Sequence, residues 1–331
     1  MTPEYLTSGG LRIDFVITAD GQVHLREMGG NAIYSAVGAR VWAADVGILS
    51  RIGANYPHEW LQRLENAGIR TEGILRVPGW QDMRTFYAYR DMDRREDTDP
   101  AGHFAELGLS LPQDLVGYVD STPGQASEQY IAVSPRPEDI PLSFGSVKAA
   151  HLAPLELQAH RSLSAALGSS GIRLTLDPGE RYMKPELYED VLAILRHVDA
   201  FLPSEQEVRS LLGPIDFWSA ACRFAETGLE AVVIKVGSRG AMVYDCLDRR
   251  RWLVPAFPTH VVDVTGAGDA FCGGFLVGFQ ETADAVLAAC YGTVSASFVL
   301  EGFGALYATR FRRGEAEVRL SQVKAQVQPI A

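Results

Sequence analysis

The 331 residues predict an α/β protein: a mostly parallel sheet with helices on both faces. Three observations point there. From Val147 to Gly240, short apolar runs of β type alternate with stretches of helical periodicity, the pattern of strand–helix–strand crossovers. The glycine and acid clusters fall at the ends of those runs, where ligands sit in such sheets. Finally, Val261 to Gly278 joins a β-branched run, a glycine turn at Gly266 and Gly268, and apolar residues at helical spacing. That order predicts a strand over Val261 to Thr265 and a helix that begins near Gly268.

Composition bounds the partners. A content of 47% hydrophobic and 21% charged residues is that of a folded domain with a large core. The net charge of −11 argues against nucleic acid and against anionic membrane surfaces. Cys222, Cys246, Cys272 and Cys290 are scattered, with no paired motif and no histidine partner. A metal cluster and a disulfide framework are therefore not expected, and a reducing cytoplasm is. The start, Met-Thr-Pro-Glu-Tyr, lacks the basic and apolar regions of a signal peptide. The most apolar stretch, Ala283 to Leu300, carries Asp284, Tyr291, Gly292, Thr293 and serines, and reads as a buried helix rather than a membrane span.

In chain order, Leu11 to Ile17 predicts a strand, Asp20-Gly21 a hairpin turn, and Val23 to Arg26 the returning strand. Asp14 lies inside that strand, either facing solvent or accepting hydrogen bonds from the hydroxyls of a sugar. Gly29 and Gly30 open an alanine-rich helix, with Asn31 as its cap or close to a ligand. Val46 to Ile52 is a strand, and Trp60 to Ala67 a helix that Gly68 ends. Residues 83–92 alternate like an edge strand with aromatics and arginines interleaved, and Asp91 to Asp99 follow as a charged turn. Arg84 is the candidate there for a substrate or phosphate contact, with plain surface exposure as the alternative.

The middle of the chain continues with strands at Val147 to Ala153, Ile172 to Leu176, Ala200 to Leu202 and Ala231 to Lys235. Helices at His160 to Leu167, Leu187 to Leu195 and Phe217 to Glu226 alternate with them. The strands end in Asp177-Pro178-Gly179, in Ser204-Glu205-Gln206-Glu207 and in Lys235-Val236-Gly237-Ser238-Arg239-Gly240. Glu207 is either a site acid or a first-turn helix acid, and Lys235 either a phosphate ligand or a snorkelling lysine. Thr282 to Leu300 predicts a long helix, broken at Glu301-Gly302-Phe303-Gly304-Ala305, and residues 311–331 a polar surface tail.

The glycine turn before a helix is an anion site: the first N–H groups are unpaired and the helix dipole adds positive potential. A carboxylate there, Asp269, either caps the helix or takes a proton from an attacking hydroxyl. Asp263-Val264-Thr265-Gly266-Ala267-Gly268-Asp269 closely resembles the C-terminal signature of the ribokinase-like (PfkB) carbohydrate kinases, with Val264 where Thr is usual. Gly29-Gly30-Asn31-Ala32 resembles the first signature of that family.

The resemblance implies a single three-layer α/β/α ribokinase-like domain over 1–331, with a mostly parallel sheet and a small β lid at about 12–27 and 83–104. It implies Asp269 as catalytic base and Gly266, Ala267 and Gly268 as the anion hole. Asp14, Gly29, Gly30, Asn31 and Arg84 would meet the acceptor. Lys235, Gly237, Ser238, Gly240, Ser204 and Gly304 would lie on the ATP side. Glu207 would serve Mg²⁺ through water, in an Asn-x-x-Glu element whose Asn is here Ser204. Asp263 and Thr265 fall where several relatives hold a monovalent cation such as K⁺. Where the family more often has Gly-x-Asp, this chain has Gly53-Ala54-Asn55. The implied partners are ATP and a sugar, sugar acid, polyol or nucleoside, with the lid edge open to a homodimer contact. A catalytically weak sugar- or nucleotide-binding regulator of the same fold is the alternative, favoured by Ser204 and Asn55. A dinucleotide oxidoreductase would need glycine where Phe271 stands, and no P-loop motif is present.

Overall fold

A computed structural model describes the chain except residues 1–2, 91–93, 120–128, 142–143, 146 and 331. Among the described residues fourteen strands form two sheets: β1 (Tyr5–Ser8), β2 (Arg12–Ile17), β3 (Val23–Gly29), β4 (Val46–Ile52), β5 (Ile69–Arg76), β6 (Arg84–Tyr89), β7 (Arg95–Glu96), β8 (Ala149–Leu152), β9 (Arg173–Leu176), β10 (Ala200–Phe201), β11 (Ala231–Lys235), β12 (Ala241–Asp245), β13 (Arg250–Val254) and β14 (Gln328–Ile330). The helices are α1 (Asn31–Arg40), α2 (His58–Asn66), α3 (Pro100–Glu106), α4 (Leu157–Gly168), α5 (Tyr188–Leu195), α6 (Glu205–Leu212), α7 (Phe217–Ala225), α8 (Ala267–Thr282), α9 (Ala285–Leu300) and α10 (Arg313–Lys324).

The large sheet runs β14-β13-β12-β11-β10-β9-β8-β1-β4-β5. From β5 to β11 every pairing is parallel, and β12, β13 and β14 close the far edge in antiparallel fashion. Parallel strands covered on both faces should be apolar throughout, and β1 and β4 are buried along their whole length. One core lies between the sheet and α1, α8 and α9, and the other beneath α4 to α7. The chain leaves β1 toward β4 on one side and later adds β8 on the other. The order therefore reverses at β1, and a crevice opens at the carboxyl ends of the strands there. The small sheet, β3-β2-β6-β7, covers that crevice as the expected lid. The architecture, helices on both faces of a mostly parallel sheet with a small second sheet, is the one the family resemblance implies.

Three expectations need correction, and one falls partly on residues that are not described. Val261 to Thr265 is not a strand: Val262 is exposed, its N–H bonds Leu300 O, and Asp263 turns the chain by accepting from Thr265 N. A β-branched run favours a strand only where a partner edge is free, and none is offered here. β6 is not an edge strand, because β2 and β7 flank it. The part of the charged turn at 91–93 lies outside the described residues. Residues 311–330 are more than a polar surface tail. α10 buries Ala316 and Val323, and β14 pairs with β13 at Leu253↔Gln328 and Arg251↔Ile330. Among the described residues no helix is long and apolar enough to cross a membrane.

Candidate active site

The carboxyl ends of the strands deliver the site. Gly10 follows β1, Pro154 and Glu156 follow β8, Asp177 follows β9, Glu207 opens α6 after β10, and Lys235 ends β11. With the inner face of the lid and the start of α8 they line a cavity of about 310 Å³. Asp14, Gly30, Asn31, Gly266, Gly268, Asp269, Thr265, Glu207 and Lys235, all anticipated from sequence, line it.

The N-terminal turn of α8 forms as expected, with Gly266 as N-cap at φ 74. A side chain at Gly266 would enter the ring of Tyr34, so the turn tolerates only glycine on two counts. The Ala267 N–H turns back to Val264 O at 3.3 Å. The N–H groups of Gly268 and Asp269 have no acceptor among the described residues, so they stay available to an anion. Position 268 also faces Lys235, whose ammonium would stand 3.8 Å from a side chain placed there. Burial pushes the Asp269 carboxyl up to about 6, against the pull of Lys235 and Arg95.

Lys235 donates to Asp177, and Cys272 Sγ lies 3.5 Å from the same Asp177 oxygen. Burial opposes the Lys235 charge, but Asp177, Cys272 and Glu207 together raise its pKa above the ordinary lysine value. Burial likewise raises Asp177 and Glu207, with Lys235 holding both down in part. Oδ1 of Asp177 is buried without a partner. Glu207 stands in the first turn of α6 and also faces the cavity. Its carboxylate accepts from Ser204 N at 2.6 Å and its N–H donates to Ser204 Oγ at 3.2 Å, a capping box, while it also lines the cavity.

Across the cavity, strand parity sorts the lid. Asp14 pairs with Thr85 and Val16 with Tyr87, so Thr85, Tyr87 and Tyr89 share the Asp14 face. Tyr89 meets Thr265 at 2.9 Å, tying the lid to the glycine turn. Asp14 is buried at 3% exposure, its Oδ1 has no partner, and burial pushes it up to about 7. Gly29 packs so closely on this carboxylate that any side chain would collide with it. Asn31 is not the helix cap, a place Gly30 takes at φ 106. Its side chain instead accepts from Gly10 N at 2.8 Å and donates to Pro154 O at 2.6 Å, clamping three strand-end loops together.

Arg84 pairs with Ile13, on the face opposite to Asp14. It is held by Asp82 at 2.6 Å and by the carbonyls of Asp114, Val116 and Gly117, outside the cavity lining. The expectation that it meets the acceptor is corrected by one residue of parity. Ser204, Gly237, Ser238, Gly240 and Gly304 also lie outside that lining. Gly237–Arg239 is a single 3₁₀ turn after β11, and Gly304 opens another after α9. The side chains of Asp263 and Thr265 bond one another at 2.8 Å, which lends a monovalent cation there no support.

Sequence reasoning missed Arg12, Arg95, Tyr87, Tyr89, Glu156 and Asp177. Asp177 carried a usable signal, an acid at the carboxyl end of a strand. The two arginines carried none, since only the lid register turns them inward.

The pfkB family carbohydrate kinase profile matches residues 13–310. The chain is 30% identical over 275 residues to a cytidine kinase of Thermococcus kodakarensis, covering 82% of this chain and 87% of that protein. Among solved structures it is similar to an E. coli protein described as a ribokinase II, in complex with ATP and Mg²⁺, with a TM-score of 0.70 at 20% identity over 97% of this chain and 99% of that one. It is similar also to the Burkholderia thailandensis nucleoside kinase in complex with inosine, with a TM-score of 0.70 at 18% identity over 98% of both chains. The chain therefore belongs to the pfkB family of carbohydrate kinases, ATP-dependent enzymes that phosphorylate small molecules.

Proposed function

We propose that this kinase transfers the terminal phosphoryl group of ATP to a hydroxyl of a sugar or sugar-like molecule held under the lid. The observation that carries the reading is the pairing of Asp269 with two unengaged N–H groups on one cavity wall, opposite Asp14 on the other. Asp269 takes the hydroxyl proton as the oxygen attacks phosphorus, the bond from phosphorus to the β-phosphate oxygen breaks, and ADP leaves. The N–H groups of Gly268 and Asp269, with Lys235, face the charge that gathers on the transferring group. Asp14 accepts hydrogen bonds from acceptor hydroxyls, and Asn31 keeps the floor of the acceptor pocket in place.

Among the described residues no group of three or more His, Cys, Asp or Glu side chains is arranged to hold a metal on its own. A Mg²⁺ carried in on the ATP phosphates fits the residues present, because Glu207 and the unpartnered Oδ1 of Asp177 offer acceptors to its water shell. When bound it supplies charge neutralisation on the phosphates.

A nucleoside is the second acceptor class. Tyr34, Tyr87 and Tyr89 line the cavity with ring surface suited to a base, and one relative is named a cytidine kinase. The test is ADP release against a panel of sugars, sugar acids, polyols and nucleosides. Turnover of at least one acceptor, lost in Asp269→Asn, is the expected result. A silent panel with ATP still bound would sink the kinase reading and favour a binding protein of the same fold.

A further inference from the structure

The small sheet that carries Asp14 also grips the glycine turn. Tyr89 ends β6 on the same inner face as Asp14, and its hydroxyl lies 2.9 Å from Thr265 Oγ1. Thr265 in turn meets Asp263 twice, through Oγ1 at 2.8 Å and through its N–H at 3.0 Å, both on one carboxylate oxygen. The direction of this chain follows from counting protons. A threonine hydroxyl has one proton, which goes to Asp263, so Tyr89 donates to Thr265. Asp263 and Thr265 are buried, at 5% and 7% exposure, where water does not readily replace a lost hydrogen bond. Asp263 is itself anchored, since its N–H and that of Val262 both reach Leu300 O.

The next residue is Gly266, and the two unengaged N–H groups and the Asp269 carboxylate follow within three positions. Gly266 has no side chain with which to hold its own turn, and glycine backbone moves readily. Two neighbours restrain it instead. The Tyr34 ring of α1 fills the space over Gly266, and Thr265 fixes the entry to the turn. The first restraint belongs to the body of the fold, but the second is completed by a lid strand. We propose that Tyr89 is a positioning residue for phosphoryl transfer. With the lid over the acceptor, its hydroxyl holds Thr265 and, through it, the turn that aims Asp269 and the Gly268 and Asp269 N–H groups. A lid lifted from its place takes that hydroxyl away and loosens the turn, so the catalytic geometry is complete only over a bound acceptor. This deepens the kinase reading and rests on it for the reaction that the turn serves.

The test compares Tyr89→Phe, Thr265→Val, Thr265→Ser and the double variant Tyr89→Phe with Thr265→Val, all in the full-length protein. Steady-state rates are taken with ATP, Mg²⁺ and the fastest acceptor of the panel above. Tyr89→Phe keeps the ring, so it should lower kcat about three- to tenfold, the worth of one hydrogen bond, with both KM values within about twofold. Thr265→Val should lose at least as much, while Thr265→Ser, which keeps the hydroxyl, should stay within about twofold of wild type. The double variant should match Thr265→Val to within about twofold, because both changes cut one chain. Amide exchange across residues 262–271 should quicken severalfold in Tyr89→Phe, while that of β4 does not change. A raised acceptor KM at unchanged kcat would make Tyr89 only a wall of the acceptor pocket, and that outcome overturns the proposal. So do losses that multiply in the double variant, or exchange across the turn equal to wild type. The exchange measurement needs no acceptor, which keeps the two readings apart. Quickened exchange in a protein that turns over no compound of the panel would remove the kinase reading and leave the tie between lid and turn. Turnover that depends on Asp269 but not on Tyr89 would do the reverse.

Discussion

Asp269 can act as a base only while ionised, and burial sets where that happens. With its carboxyl pushed up to about 6, kcat/KM should fall roughly tenfold per pH unit below that value. Asp269→Asn should cut turnover by about 10²–10⁴-fold at neutral pH, the range for a lost general base, with ATP affinity nearly intact. Turnover within a few-fold of wild type would remove Asp269 from that role. Asp14 is buried for ligand binding at a cost to the empty protein. Held near 7 when folded and at 3.8 when unfolded, it keeps its proton in the folded state across a range where the unfolded chain has lost it. The folded form is thus favoured below pH 4, and that advantage disappears as pH rises to 7. Asp14→Asn should therefore raise the Tm of the ligand-free protein by about 3–6 °C at pH 8, with the gap narrowing toward pH 5. The same change should weaken acceptor binding roughly ten- to hundredfold, since it removes a charge-assisted acceptor. An equal or lower Tm at pH 8 would show that the Asp14 carboxylate has a partner in the folded protein that compensates for its burial.

At the scale of elements, polar and ring contacts tie the lid to the body. Tyr89 bonds Thr265, and His24 stacks on Phe303 at 3.4 Å between ring centroids. β7 has only two residues, both exposed, and α3 is a short helix whose buried side chains are His103 and Phe104. Elements with so little buried area open first. Amide exchange over residues 94–106 should slow severalfold when the true acceptor binds, while β4, buried along its length, stays slow throughout. Equal protection with and without a verified acceptor would make the lid a fixed part of the fold. The segment 261–265, expected as a strand, is a loop instead. That difference shows how the sequence could be read and where it could not. The hairpin at Asp20-Gly21, the Gly30 and Gly266 turns and the acids at strand ends were visible because local chemistry specifies them. The inward face of β6 was not, since Arg84 and Thr85 differ only in parity and parity is fixed by pairing with β2. β12, β13 and β14 were not seen for a related reason: each is short, polar on one side, and stabilised by partners rather than by its own pattern.

For the molecule as a whole, the same reasoning turns the apparent tail into a structural clasp. α10 lies on α9, and β14 completes the sheet edge next to β13, shielding backbone groups that would otherwise stand free. Arg319 holds this closure. Its guanidinium bonds Glu301 at 2.7 Å and Ser297 at 2.8 Å, and its Cζ stacks 4.0 Å from the Phe298 ring. At 17% side-chain exposure for Arg319 and 20% for Glu301, this is not a surface pair that solvent screens away. Glu301 also takes the hydroxyl of Thr259, so the ion pair fixes the loop that leads into Asp263 and the glycine turn. Arg319→Ala should cost about 2–3 kcal/mol, from a charged hydrogen bond left without its partner and a lost stack on an aromatic ring. That corresponds to a fall of roughly 4–8 °C in Tm. Arg319→Lys, which keeps the charge but not the planar fork, should recover only part of it. Thermal unfolding of the two variants, followed with and without ATP, distinguishes the alternatives. If residues 311–330 merely trail over the surface, both variants will melt with wild type. If they close the fold, Ala will melt lowest, and ATP will raise all three without restoring the order.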